Sequence, residues 1–343
     1  MIGCENKILV AGPCAAETRQ QVLDTASRLK GLGLDYFRAG LWKPRTHPGN
    51  FEGVGAQGLE WLSEVKSGYG MKVCTEVAAS NHVQDCLEAG IDAVWIGART
   101  STNPFLVQEI VDSLKGSDVC VFIKNPVNPD IELWSGAVER VLNALGDNIV
   151  LVHRGVSSFE KLKFRNDPEW RLAVEMKSRF PQLPLICDPS HIAGDSAFVK
   201  EIAQKAMDLG LDGLMVETHI DPESALSDTR QQLTPSELES MLKSLEFRSA
   251  ESEDDSFNSD LEKLRGRIDS IDAELVELLG ARMDISRQIG LSKKAHGITV
   301  LQSGRWNEVL SEVSSKAEER GLDPEFVRRV FNLIHDASVK QQG

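Results

Sequence analysis

No stretch of the chain is both long and apolar. Nothing approaches the roughly 20 residues a membrane-spanning helix needs, and the N-terminus lacks a secretory signal. The six cysteines form no CxxC pair. Four of them, Cys14, Cys74, Cys120 and Cys187, lie in or beside short apolar runs, which reads as reduced core thiols of a cytoplasmic protein. Positive charge is scarce: 38 Lys and Arg face 52 Asp and Glu, a formal net of −14 that argues against nucleic acid as the main partner. What remains is a globular chain, 41% hydrophobic, whose 343 residues fit one large domain plus a small module.

Residues 7–217 repeat one design. Eight short apolar runs are spaced by helix-sized segments: Lys7–Gly12, Asp35–Gly40, Lys72–Glu76, Ala93–Gly97, Val119–Ile123, Ile149–Val152, Leu185–Cys187 and Gly213–Val216. Such runs are too short for helices and suit strands buried on both faces. Nearly every one hands a polar or charged group to its C-terminal end. Eight alternating βα units predict a (β/α)8 barrel of the α/β class, with its chemistry on that face.

The pattern then changes. Residues 246–259 are polar, acidic and aperiodic, which reads as a flexible linker between a barrel over 1–245 and a tail over 260–343. The tail has no strand signal. Its 14 acidic and 13 basic residues nearly cancel, leaving the negative charge on the barrel and linker. Leu261, Leu264, Ile268, Ile271, Leu275, Leu278, Met283 and Ile285 recur at helical spacing. Two further helices fit residues 303–320 and 324–341. Three helices bury a small core, so a dimer is expected.

Two groups of side chains converge at the strand ends. Cys14, His191, Glu217 and Asp228 are singly a core thiol, a capping histidine and two solvated acids. Together they make a mixed soft and hard ligand set for a divalent transition metal. Arg38, Lys43, Arg45, Arg99, Lys124 and Arg154 follow apolar strands in an acidic chain, so they are expected to bind phosphates and a carboxylate. A Lewis acid with two anion clamps suits joining a phosphorylated, anionic substrate to a carbonyl compound. The residues alone do not name the substrates.

Several motifs do: Ala11-Gly12-Pro13-Cys14-Ala15-Ala16-Glu17, Arg38 with Lys43-Pro44-Arg45-Thr46, Gly97-Ala98-Arg99, His153-Arg154-Gly155, Asp188-Pro189-Ser190-His191, and Ala225-Leu226-Ser227-Asp228 with Gln231-Gln232-Leu233. In this order, over residues 1 to about 245, the chain resembles the type I beta 3-deoxy-D-arabino-heptulosonate-7-phosphate (DAHP) synthases. The resemblance implies condensation of phosphoenolpyruvate with erythrose 4-phosphate. It implies Cys14, His191, Glu217 and Asp228 as ligands of Mn²⁺, with Fe²⁺, Co²⁺ or Zn²⁺ as alternatives. Arg99, Lys124 and Arg154 would hold the phosphate of phosphoenolpyruvate, and Arg38 and Lys43 its carboxylate and reacting end. Arg45 and Thr46 would take the phosphate of erythrose 4-phosphate, and Lys43 would also protonate the aldehyde oxygen. The sister octulosonate synthases carry Lys-Ala-Asn-Arg-Ser-Ser where this chain has Lys43-Pro44-Arg45-Thr46, which favours the heptulosonate reaction.

In the tail, Leu264-Arg265-Gly266-Arg267-Ile268-Asp269 with Asp272, Leu278-Leu279-Gly280-Ala281-Arg282, Ile289-Gly290, Lys293 and Ser338-Val339-Lys340-Gln341-Gln342 resemble the all-helical chorismate mutases. That family rearranges chorismate without acid, base or nucleophile, by holding a compact conformer and stabilising charge on the ether oxygen. The resemblance implies that Arg265, Arg282 and Arg305 grip carboxylates, with Arg265 crossing from a partner chain. Lys293 and Gln342 would reach the ether oxygen, and Ser338 would assist. Gln302 and Trp306 depart from the pattern. Trp306 stands where the family has a Glu that meets the substrate hydroxyl, and an indole cannot accept that bond. The expected protein is a bifunctional homodimer or homotetramer. A second reading makes the tail mainly a chorismate- or prephenate-binding regulatory module. With a strand already beginning at residue 7, the tail is the only other domain and the expected sensor of either ligand.

Overall fold

The computed structural model describes residues 7–45, 47–159, 162–248, 252, 254–300 and 303–342. The chain divides into two compact units, Met1–Ala250 and Glu251–Gly343. In the first, eight parallel strands close in sequence order: β1 (Ile8–Gly12), β2 (Tyr36–Arg38), β3 (Val73–Val77), β4 (Ala93–Ile96), β5 (Cys120–Lys124), β6 (Ile149–His153), β7 (Leu185–Cys187) and β8 (Gly213–Glu217). Closure is by β1 on β8, from Ile8 opposite Gly213 to Gly12 opposite Glu217. The connecting helices are α1 (Arg19–Leu29), α2 (Gln57–Tyr69), α3 (Ser80–Glu88), α4 (Pro104–Leu114), α5 (Ile131–Leu145), α6 (Trp170–Arg179), the short α7 (Pro189–Ala193), α8 (Ser196–Asp208) and α9 (Pro235–Ser244). Local chemistry sets many starts. Thr18, Asn103, Asp130 and Asp195 cap α1, α4, α5 and α8, and Thr234 with Glu237 makes a capping box before Pro235.

Strand periodicity positions the site. Val10, Cys74, Trp95, Phe122, Val152, Ile186 and Met215 fill the barrel interior, with Tyr36 packed against them. Two residues further along, where side chains again point inward, stand Arg38, Glu76, Lys124, Arg154, Asp188 and Glu217. An apolar interior therefore changes to a charged one within a single rung. Gly12, at φ +143°, permits this crowding, since a Cβ there would sit 2.1 Å from the Arg38 carbonyl oxygen.

The second unit is three helices: α10 (Asp255–Ala295), α11 (Ser303–Glu319) and α12 (Pro324–Gln342). Helix α10 starts within the stretch assigned to the linker by composition, so residues 255–259 are helical. The Asp254 side chain accepts from Ser256 and Phe257 N–H and nucleates the turn. Only Ser286 and Gly290 of α10 are buried, while Leu264, Ile268, Ile271, Leu275 and Leu278 each stand more than half exposed. Among the described residues, no helix is long and apolar enough to cross a membrane.

Candidate active site

The C-terminal ends of the strands surround a small cavity of about 60 Å³, lined by Arg38, Lys43, Arg45, Glu76, Trp95, Arg99, Lys124, Arg154, Arg165, His191 and Asp228. A larger opening of about 520 Å³ lies between α8 and α9. Its wall is mostly serines and aliphatic carbons, without the convergent charge that chemistry needs, so the small cavity is the candidate site.

Cys14, Glu217 and Asp228 bring one donor atom each within 4.8 Å of one another. The Cys14 Sγ lies 3.2 Å from Asp228 Oδ2. Burial first, then the neighbouring Glu217 and Asp228 charges, push its thiol far above the usual range, so by itself it stays protonated and donates to Asp228. His191 lies outside this trio, but its Nε2 is 3.7 Å from Glu217 Oε1. Its Nδ1 is 2.8 Å from Asp188 Oδ2. Burial pulls the imidazole down and favours its neutral, ligating form. Asp188 also receives Lys124 Nζ at 2.6 Å, and despite burial the neighbouring His191 ring and the Lys124 and Arg38 cations hold its carboxyl well below the usual range. Thiol, imidazole and two carboxylates on adjacent strand ends are a fitting donor set for a divalent transition metal.

Arg38 is fully buried beneath the cavity. One Nη donates to Glu217 at 3.1 Å, and the guanidinium stacks 4.7 Å from the Trp95 ring centroid. Its Nε and other Nη have no partner among the described residues, a costly state that an arriving carboxylate would relieve. Lys43 Nζ donates to the Cys14 carbonyl at 3.1 Å and stands 3.8 Å from Glu76. Burial acts to lower its pKa, but its surroundings, the neighbouring Cys14 and the Glu76 and Glu217 carboxylates, outweigh burial and leave it raised, so it is an ammonium at neutral pH. Burial lowers Arg154 to about 10, still charged. Arg45 donates to the Phe51 carbonyl at 2.9 Å and lies 3.7 Å from Asp228. Thr46 lies outside the described residues.

Two acids and one base of this site were not singled out from sequence. Glu76 and Asp188 carried a usable signal, since each stands two residues beyond an inward-facing apolar residue. Arg165 had none. It comes from the loop after β6, yet its Nη1 reaches Asp228 Oδ1 at 2.8 Å.

In the helical unit, Arg282 on α10 donates to Ser338 Oγ on α12. Gly290 faces Gln342 so closely that a Cβ would lie 2.6 Å from the Gln342 Cα. The Gln342 Oε1 is buried without a partner among the described residues. Lys293 donates to the Val300 carbonyl at 2.6 Å. Arg265 and Arg305 are exposed and pair within their own helices with Glu262 and Glu308. Trp306 stacks on His335, with centroids 3.8 Å apart. Gln302 lies outside the described residues.

Residues 1–251 match the DAHP synthetase I family, and residues 264–343 match chorismate mutase type II. The chain is 36% identical over 225 residues to the phospho-2-dehydro-3-deoxyheptonate aldolase of Thermotoga maritima, an alignment covering 66% of this chain and 64% of that protein. It therefore spans less than two thirds of that relative's length. It is 32% identical to the 2-dehydro-3-deoxyphosphooctonate aldolase of Helicobacter acinonychis, covering 68% of this chain and 92% of that one. The crystal structure of the Thermotoga DAHP synthase superposes with a TM-score of 0.62 at 32% identity, covering 69% of this chain and 68% of that one.

Proposed function

The chain belongs to the DAHP synthetase I family and carries a chorismate mutase type II segment behind its barrel, and on that premise we propose that it is a bifunctional enzyme of aromatic biosynthesis. The barrel joins phosphoenolpyruvate to erythrose 4-phosphate, giving DAHP and phosphate. The tail rearranges chorismate to prephenate. The observation that carries the barrel reading is the cavity itself, where a ring of arginines and lysines faces a Cys–His–Glu–Asp donor set.

Arg99, Lys124 and Arg154 hold the phosphate of phosphoenolpyruvate, and Arg38 offers its unpartnered N–H groups to the carboxylate. Arg45 and Thr46 take the phosphate of the aldose. Gripped at both ends, the enol carbon and the aldehyde carbon meet in line. The Lys43 ammonium gives its proton to the aldehyde oxygen as the carbon–carbon bond forms, and water displaces the phosphate. Cys14, His191, Glu217 and Asp228 hold the metal, Mn²⁺ in this proposal, though Fe²⁺, Co²⁺ and Zn²⁺ suit the same donors. When bound, the metal supplies Lewis acidity toward the aldehyde oxygen.

In the tail, Arg282 and Arg305, with Arg265 from a second copy, grip the carboxylates of chorismate, while Lys293 and Gln342 face the ether oxygen and Ser338 helps seat the substrate. The exposed apolar residues of α10 support a homodimer, in which a second copy covers them, or a tetramer built from such dimers. The unpaired buried thiols suit a cytoplasmic setting. Chorismate or prephenate bound at the tail feeds back on the synthase. The Trp306–His335 stack favours a second reading, in which the tail senses these ligands and turns over chorismate slowly. One experiment tests the whole: both activities of the intact chain are measured with and without a chelator. DAHP formation should vanish and return with Mn²⁺, while chorismate turnover is unaffected. Synthase activity that survives metal removal would refute the metal assignment, and absence of chorismate turnover would leave only the sensing role for the tail.

A further inference from the structure

Two consecutive glutamines between β8 and α9 have no place in the reaction just described, yet they are 1% and 2% exposed. Each is wired to the candidate metal ligands. Gln232 Oε1 accepts from the Cys14 backbone N–H at 2.9 Å, and its Nε2 donates to the Ser227 carbonyl at 2.9 Å, one residue before Asp228. It thus ties the loop after β1 to the loop that bears the aspartate. Gln231 Nε2 donates to Glu217 Oε2 at 2.6 Å, while its Oε1 accepts from Arg165 Nη1 at 2.8 Å. The same Arg165 nitrogen donates to Asp228 Oδ1.

The partners leave neither amide a choice of orientation. A carboxylate and a carbonyl only accept, and a guanidinium and a backbone N–H only donate, so a flipped amide would set like against like at both ends. The clamp also acts where the backbone resists. Asp228 sits at φ +50°, a left-handed conformation unusual outside glycine, and Gln231 N–H bonds back to its carbonyl at 3.2 Å. Arg38 fixes the other oxygen of Glu217 at 3.1 Å, so both oxygens of that carboxylate are held before any ligand arrives.

We infer that Gln231 and Gln232 are positioning residues that preassemble Cys14, Glu217 and Asp228 for a divalent metal, with Gln231 linking that set to the cationic cavity through Arg165. The inference rests on the metal reading of the site. Groups that orient metal ligands in this way are typically worth about 10- to 100-fold in metal affinity.

The test uses the intact chain loaded with Co²⁺, whose thiolate-to-metal charge-transfer band reports Cys14, with affinity measured by competition against a chelator. Gln231→Leu and Gln232→Leu should each weaken Co²⁺ and Mn²⁺ binding by about 10- to 100-fold. Gln232→Leu should also shift or broaden the thiolate band, since it frees the Cys14 backbone. Should either variant fail to fold by circular dichroism, Gln231→Asn and Gln232→Asn replace them; these keep an amide that is one methylene too short to span both partners and should give a smaller loss of the same sign. Folded variants with wild-type affinity and an unchanged band would overturn the assignment. A wild-type chain with no thiolate band at all would instead strike down the metal reading on which it rests, a distinct result.

Discussion

His153 shows how a buried side chain can be structural beside a residue that lines the candidate site. It ends β6, beside Arg154, and packs between Trp134 and Trp170. Burial lowers its pKa from the usual 6.5 to about 4, against the raising effect of the Pro168 carbonyl it bonds; Arg154 lowers it further, while Glu169 and Asp188 oppose. The native state therefore refuses a proton that the unfolded chain accepts below about pH 6.5. Between that pH and 4 the unfolded state binds more protons, so barrel stability falls as the pH drops. The loss from this one group is on the order of 2 kcal/mol by pH 5. Thermal melts of wild type and His153→Gln at pH 7 and pH 5 check this. The variant should lose distinctly less on acidification, and equal losses would mean that His153 is not the sensitive group.

Among the elements, the strand ends matter more than the strands. Gly97, just past β4, leaves room for Glu76 to stand beside Lys43, because a Cβ at Gly97 would lie 2.0 Å from Glu76 Oε1. Gly97→Ala must push that carboxylate aside. The barrel core does not involve this atom, so the variant is expected to fold, with a melting temperature within a few degrees of wild type. Losing the Glu76 charge from beside Lys43 should cut DAHP formation by roughly 10-fold or more, the range of a misplaced acid–base group, with chorismate turnover unchanged. Unaltered synthase kinetics would show that the Glu76–Lys43 pairing does nothing for the reaction. Helix α10 contrasts with the strands, since its buried positions are a serine and a glycine and its leucines face outward. A helix of that pattern completes its core with another surface.

For the molecule as a whole, the proposed feedback couples the two units through the chain near Ser252. In this proposal the acidic segment around Ser252 acts as a tether, for which an effective concentration on the order of mM is typical, and a typical coupling of about 1–3 kcal/mol then predicts partial inhibition rather than an on–off switch. Cutting the chain near Ser252 tests it. The separated barrel should keep synthase activity and stop responding to prephenate. A truncated barrel inhibited as strongly as the intact chain, or an intact chain never inhibited, would remove the tail from control.

Much of this architecture could be read from residues in order. A parallel strand covered on both faces is a continuous apolar run, and its end is marked by the first charge. That local signal located all eight strands and drew attention to Arg38, Lys43, Arg45, Arg99, Lys124 and Arg154, which line the cavity, but not to Arg165. The tail's helical period was equally local. Tertiary structure decided which charges meet. Lys124 shares Asp188 with His191, Arg165 arrives from a loop 63 positions away from Asp228, and two adjacent glutamines part to serve Glu217 and Cys14. Most of these pairings have no sequence period: Lys124 and Asp188 meet across β6, Arg165 and Asp228 across β7, and Gln232 reaches Cys14 only because β1 closes on β8. Residues 255–259 yielded to the fold for a smaller reason. They adjoin the acidic run that reads as linker, yet one aspartate, Asp254, accepting two backbone N–H groups is enough to start a helix there.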